Sequence, residues 1–172
     1  MASQSTRRRI IADVRRRIDE YGWSVQAVGT NCSVPGCCGA RGGRSTDADF
    51  GYTVGLTRFH DHPELIITGV PQMESVHPLN VLGELVRGGR RLCHRDVVDG
   101  VAPGCPVQLV RVAPDNSARF LLHANELYRR PGKPPVPALQ VVWPDQMHRF
   151  PWDSGCMLTN EVQPLLGPVP AA

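Results

Sequence analysis

Phe50-Gly51-Tyr52-Thr53-Val54-Gly55-Leu56, followed after a short loop by Glu64-Leu65-Ile66-Ile67-Thr68-Gly69-Val70, decides the fold. In the first run large residues alternate with Gly51, Thr53 and Gly55, the period of a strand with one bulky face and one bare face. A bare face admits close approach of a backbone or a ligand. The second run is apolar and β-branched almost throughout, which suits a strand covered on both sides and places it centrally in a sheet. The intervening segment, Arg58 to Pro63, reads as a loop.

Moving outward, Ile10, Ile11, Val14, Ile18 and Tyr21 recur at helical spacing between Thr6 and Tyr21, and Gly22 ends that helix. Trp23 to Val28 reads as a short strand. Val76, Leu79, Leu82, Leu85 and Val86 mark a second amphipathic helix, with Pro78 in its first turn and Gly88-Gly89 as its stop. Val107 to Ala113 and Ala118 to His123 alternate around Pro114-Asp115-Asn116-Ser117, which predicts a hairpin. Pro131 to Pro137 is a stiff connector, and Leu139 to Trp143 a last strand. The order predicts a single α+β domain, with a mixed or antiparallel sheet of about five or six strands and two main helices. The predicted limits are a disordered start at 1–5, one domain over 6–166 with a loop insertion at 30–49, and a frayed tail at 167–172.

The chain has 172 residues, 41% of them hydrophobic, enough to bury a core without disulfide or metal staples. Its apolar runs are far too short to span a bilayer, so the expected setting is cytoplasmic, with no membrane partner. In that compartment the 6 cysteines stay reduced. The formal charge of +3 resides in Arg7, Arg8, Arg9, Arg15, Arg16 and Arg17 set against Asp13, Asp19 and Glu20, so the rest of the chain is neutral.

Three segments taken together resemble a known bacterial family: Tyr52-Thr53-Val54-Gly55-Leu56, then Pro63-Glu64-Leu65, then Gln140-Val141-Val142-Trp143-Pro144-Asp145 with Phe150-Pro151-Trp152 behind it. They resemble the domain of unknown function 4262 (DUF4262), and the likeness runs from about Ile18 to Asp153. Two departures stand out. Cys32 to Arg44 looks like an insertion, and His148 occupies a position where a turn glycine is expected. The resemblance implies a fold and a family but carries over no catalytic residues.

Several clusters invite chemistry. His60, His62 and Glu64 lie on alternate positions of extended chain, so they are candidate ligands for a divalent metal such as zinc, iron or manganese, against the plainer reading of a polar loop between strands. Cys32, Cys37 and Cys38 lack the two-residue knuckle spacing of a good zinc grip. Cys93-His94 stands among Arg90, Arg91 and Arg95, a setting that lowers a thiol pKa, against a plain loop after a helix. Gly39 to Thr46 is one residue short of a phosphate loop and leads to a strand, so it is rejected. No nucleophile elbow and no dinucleotide fingerprint occur.

Trp143, Pro144, Asp145, Phe150, Pro151, Trp152 and Asp153 place two indoles and two carboxylates around a turn, the makings of a pocket or of a core cap. Tyr52, Thr53, Glu64, Asn80 and Gln140 join it only if the strand faces converge. The candidate ligand-binding set is therefore Tyr52, His62, Glu64, Asp145 and Trp152. The favoured function is a small-molecule- or protein-binding domain. The alternatives are a small hydrolytic or redox enzyme, metal-dependent through His60, His62 and Glu64, and nucleic-acid binding through the arginine-rich helix, which the neutral body and the lack of a stacking motif disfavour.

Overall fold

A computed structural model of the chain describes residues 4–29, 49–102 and 104–169. Six strands form one mixed sheet in the order β1-β2-β3-β6-β5-β4. The strands are β1 (Ser24–Val28), β2 (Phe50–Val54), β3 (Glu64–Thr68), β4 (Val97–Ala102), β5 (Cys105–Arg111) and β6 (Ala138–Val142). β3 and β6 are parallel and every other pair is antiparallel. The expected α+β domain is what the chain forms, and of the mixed or antiparallel sheet of about five or six strands the mixed, six-stranded form is the one adopted. The Cys32, Cys37 and Cys38 cluster and the Gly39 to Thr46 stretch lie outside the described residues.

Two helices are long, α1 (Gln4–Tyr21) and α2 (Val76–Arg87), and two are short, α3 (Pro114–Phe120) and α4 (Leu122–Tyr128). α1 takes in Gln4 and Ser5, which the sequence pattern assigns to a disordered start. Helices cover both faces of the sheet because the strands are apolar on both. Leu65 and Ile67 of β3 and Leu139 and Val141 of β6 face one way, packing with Leu79, Leu82 and Val86 of α2. Ile66, Tyr52 and Val54 face the other way, against Val14 and Ile18 of α1 and Leu121 and Ala124 around α4. Every residue of β3 and β6 is buried, as expected of the central strands. The bare face of β2 serves close packing of α2: a Cβ on Gly51 would lie 2.3 Å from Ser75 Oγ.

The hairpin predicted over 107–113 and 118–123 does not form. Pro114 opens α3 at a position where its missing N–H costs nothing, and Asp115 sits in the first turn, where negative charge is favoured. Ser117, Leu121 and Ala124 then fall on one buried stripe at helical spacing. The hairpin partner of β5 is β4, reached through Gly104 at φ 74°.

Side-chain amides replace backbone pairing where β6 meets the end of the chain. The buried Gln140 donates from Nε2 to Thr68 Oγ1 at 2.9 Å and to Pro164 O at 2.8 Å, and its Oε1 accepts Leu166 N–H at 2.8 Å. Gln163, also fully buried, bonds both backbone groups of Trp143, at 3.0 and 2.9 Å. Ordered packing extends to Gly167, where a Cβ would lie 1.8 Å from Arg111 O, so the tail predicted to fray from 167 is held at that residue.

A close approach of α2 to Trp23 makes a testable point. A Cβ on Gly83 would lie 2.6 Å from Trp23 Cε2 and Cζ2. Alanine gains about 1 kcal/mol of helix propensity over glycine, but overpacking a well-filled contact costs about 1–3 kcal/mol. Gly83→Ala is expected to lower the urea midpoint with an unchanged slope, and to shift the Trp23 indole N–H resonance, since that group bonds Asn80 Oδ1 at 3.0 Å. An equal or higher midpoint would mean that helix and indole separate freely.

Candidate functional site

Glu64 is completely buried at the start of β3, and every polar group around it is a donor. Thr53 Oγ1 donates to Oε2 at 2.6 Å, Gly55 N–H to Oε1 at 2.8 Å, and Leu56 N–H to Oε2 at 3.3 Å, with Thr57 N–H at 3.5 Å from Oε1. The Thr53 hydroxyl is free to donate because its lone pairs accept Leu65 N–H at 2.8 Å. The β2–β3 ladder ends at Tyr52 and Ile66, and the Thr53 and Glu64 side chains continue it. Burial pushes the Glu64 carboxyl up to about 7, and these donors pull against that rise. The carboxylate has no face left for a ligand.

His62 is equally committed. Its Nε2 accepts Leu92 N–H at 3.1 Å, so the ring proton lies on Nδ1, which donates to Pro63 O at 2.6 Å. Burial lowers its pKa and keeps it neutral. His60 and Asp61 occupy the two central positions of a turn closed by His62 N–H on Phe59 O, at φ 55° and 54°, and both are exposed. His60 therefore points to solvent while His62 and Glu64 enter separate parts of the interior. The three candidate metal ligands are not brought together, and among the described residues no group of three or more His, Cys, Asp and Glu is placed to hold a metal ion.

Asp145 and Trp152 lie beyond the C-terminal end of β6, whereas Glu64 stands level with Ala138 at its start. The candidate set thus splits between opposite ends of the sheet. Asp145 organises the loop that follows it: Oδ1 accepts the N–H groups of Met147 and Arg149, and Oδ2 that of Met157, each at 2.9 Å. These bonds, Arg149's foremost, hold its pKa below the ordinary carboxylate value. His148 has φ 58° in this turn, a conformation that suits glycine. Trp152 stacks on Phe150 at 5.2 Å, and Trp143 Nε1 donates to Thr68 O at 3.1 Å.

Tyr52 meets a partner that sequence reasoning did not connect to it. Its hydroxyl lies 3.2 Å from His123 Nδ1, which is 3.1 Å from Gln26 Oε1, while Gln26 Nε2 donates to Ser24 Oγ at 2.9 Å. Burial raises the tyrosine pKa and lowers that of the histidine, so both stay neutral and the network ties α4 to β1 and β2. Cys93 is exposed, with its N–H on Asp96 Oδ2 at 2.8 Å, and His94 Nδ1 accepts Arg111 N–H at 3.1 Å.

A concave surface lies elsewhere, in a groove of about 670 Å³ along the β1 edge of the sheet. Arg16, Arg17 and Tyr21 of α1 form one wall and Asn80, Glu84 and Arg87 of α2 the other, with Trp23, Ser24 and Val25 between them. Arg87 lies over the Trp23 ring at 5.3 Å from its centroid and donates to Tyr21 O at 3.5 Å, which holds its guanidinium at the mouth. Arg16 pairs with Asp13 and Glu20, Arg17 with Asp13, and Arg87 with Glu84. All these pairs are substantially exposed, and such pairs contribute about 0–1 kcal/mol, so a ligand can displace them. Of the sequence candidates only Asn80 and the arginine-rich helix reach this groove. Tyr21 next to Trp23, between two amphipathic helices, was the available signal, but their convergence with Arg87 depends on the sheet edge.

The fold and groove define a small α+β domain with an arginine-lined recess at one sheet edge. The chain belongs to the family described as Domain of unknown function (DUF4262), whose model matches residues 17–157. No curated protein and no solved structure matches it. No helix among the described residues is long and apolar enough to cross a membrane.

The buried titrating groups make opposite contributions to stability. Glu64 ionises at its ordinary value of 4.5 when unfolded and at about 7 when folded, so its contribution is fully present below 4.5 and lost as pH rises through 7. His62 and His123, with lowered values, contribute stability present above 6.5 that is lost as pH falls through their folded pKa values. Glu64→Gln leaves the histidine contribution intact and removes the first. The stability of the wild type relative to this variant, from urea unfolding at pH 4.5 and pH 8, is expected to fall by about 3 kcal/mol as pH rises. A pH-independent difference would sink the assignment.

Proposed function

We propose that this domain is a binding module rather than a catalyst, and that its ligand is an organic anion held in the groove at the β1 edge. The observation that carries this reading is the convergence of Arg16, Arg17 and Arg87 with Tyr21 and Trp23 on one recess of about 670 Å³. Guanidinium forks suit carboxylate or phosphate oxygens, and flat aromatic side chains give the body of a ligand an apolar surface. The lining has three cationic side chains to one carboxylate, Glu84. The buried groups with perturbed pKa values, Glu64, His62 and Tyr52, have their polar atoms engaged by the protein itself, and His123 is held through Nδ1.

A cytoplasmic setting accords with this reading, because Cys93, Cys105 and Cys156 are free thiols.

The test is a titration of the full chain with glutarate, followed by the Trp23 indole N–H and arginine Nε–H resonances. Saturable shifts confined to the groove are expected, with Arg87→Ala weakening binding about tenfold, the size of one charge-assisted hydrogen bond. An absence of saturable shifts at this site would overturn the proposal.

A further inference from the structure

We propose that the natural occupant of this groove is an acidic peptide segment in extended conformation, which adds to the sheet as a strand beside β1. The proposal rests on the anion-binding reading above and names the class of partner.

Two bonds settle which backbone groups of β1 face outward. Gly69 N–H donates to Asp49 O at 2.9 Å, so Asp49, and with it Gly51, turns its polar groups toward β3. Phe50, Tyr52 and Val54 must then face β1, because successive residues of a strand alternate in direction. Their register partners Val28, Gln26 and Ser24 face back toward β2, which leaves Val25 and Ala27 pointing away from the sheet. The Ala27 carbonyl confirms the parity independently, for it accepts Gln72 Nε2 at 2.8 Å. Gln72 thus closes the edge at Ala27. Val25, which lines the groove, presents its N–H and C=O into it.

The two edges of the sheet are treated differently. β4 interrupts its pairing with an irregularity between Val98 and Ala102 and carries the exposed Asp99, both devices that discourage strand addition. β1 reads Ser-Val-Gln-Ala-Val, with no charge of its own, and is flanked by helices that wall the edge rather than cover it.

Charge on those walls selects the incoming strand. Side chains of an extended peptide alternate in direction, so one set points to Arg16 and Arg17 on α1 and the next to Arg87 on α2. Backbone pairing with Val25 supplies register, and glutamate or aspartate on neighbouring positions meets both walls. This is strand addition with side-chain selection, a recurrent mode of peptide recognition.

The experiment uses the full chain and a blocked octapeptide of alternating valine and glutamate, beside two copies N-methylated on alternate backbone nitrogens and a lysine-for-glutamate copy. Expected are saturable groove shifts with the parent peptide and at least tenfold slower hydrogen exchange at the Val25 amide. One methylated copy and the lysine copy are each expected to bind at least tenfold more weakly. Val25→Pro, which removes an outward N–H and spares the β2 ladder, is expected to weaken the peptide at least tenfold. Equal binding of both methylated copies with no change at Val25 would overturn strand addition and leave the anion site standing. Failure of both peptide and glutarate would remove both readings. Self-association with Val25 protected in the absence of peptide would assign the edge to a second copy of the chain and overturn the peptide proposal.

Discussion

The rest of the structure depends on the burial of the Glu64 carboxylate under the turn that follows β2. By accepting the N–H groups of Gly55 and Leu56 it satisfies backbone donors that leave a strand with no ladder to join. It thereby fixes Gly55 at φ 122°, where a Cβ would lie 3.1 Å from Gly22 O and from the Trp23 Cα. The chain leaving α1 packs directly on that glycine. Trp23 is seated by this contact, by Gly83 of α2 and by the bond to Asn80. One buried carboxylate thus positions, through two glycines, the aromatic floor of a groove it does not touch.

How much of this was legible in the sequence follows from how local each signal was. The strand over Phe50 to Val54, the central strand from Glu64 and both long helices are written in periodicity and stop residues, and the structure keeps them. The region after β5 was misread because Pro-Asp-Asn-Ser serves a turn and the first turn of a helix equally well. Only the packing of Leu121 and Ala124 against α1's side of the sheet decides between them. β4 was missed because Val97 to Ala102 contains an aspartate and a glycine and borrows its stability from β5. Among site residues, Glu64, His62, Asp145 and Tyr52 were read, with Trp152, as one ligand-binding neighbourhood, and the structure divides that set between opposite ends of the sheet. What sequence could not supply was that each is engaged by partners of its own, near in the chain for Glu64 and Asp145 and far along it for His62 with Leu92 and Tyr52 with His123.

The same polar groups explain how a sheet of short strands closes its ends. Thr53 and Glu64 extend the β2–β3 pairing where backbone pairing stops, and Gln140 and Gln163 do so between β6 and the segment from Gln163 to Leu166. An amide or hydroxyl in the interior is costly unless bonded, and each of these is bonded to a main-chain group or to another buried side chain. The arrangement confers uniqueness: a one-residue slip of the final segment would leave Gln140 and Gln163 without partners.

This changes the weight of a perturbed titration as a sign of function. Burial next to a specific partner shifts pKa values at active sites, but structural networks do the same, and the distinction is whether the group keeps an open approach. Among the described carboxylates Glu64 is the one that burial raises, and both its oxygens accept donors from the protein. The groove is built the other way round, from exposed arginines whose partners are weakly held and from a strand edge with unspent backbone polarity at Val25. In this domain the polar groups of the interior hold the frame, and the arginine-lined groove lies at the edge where the sheet's own hydrogen bonding runs out.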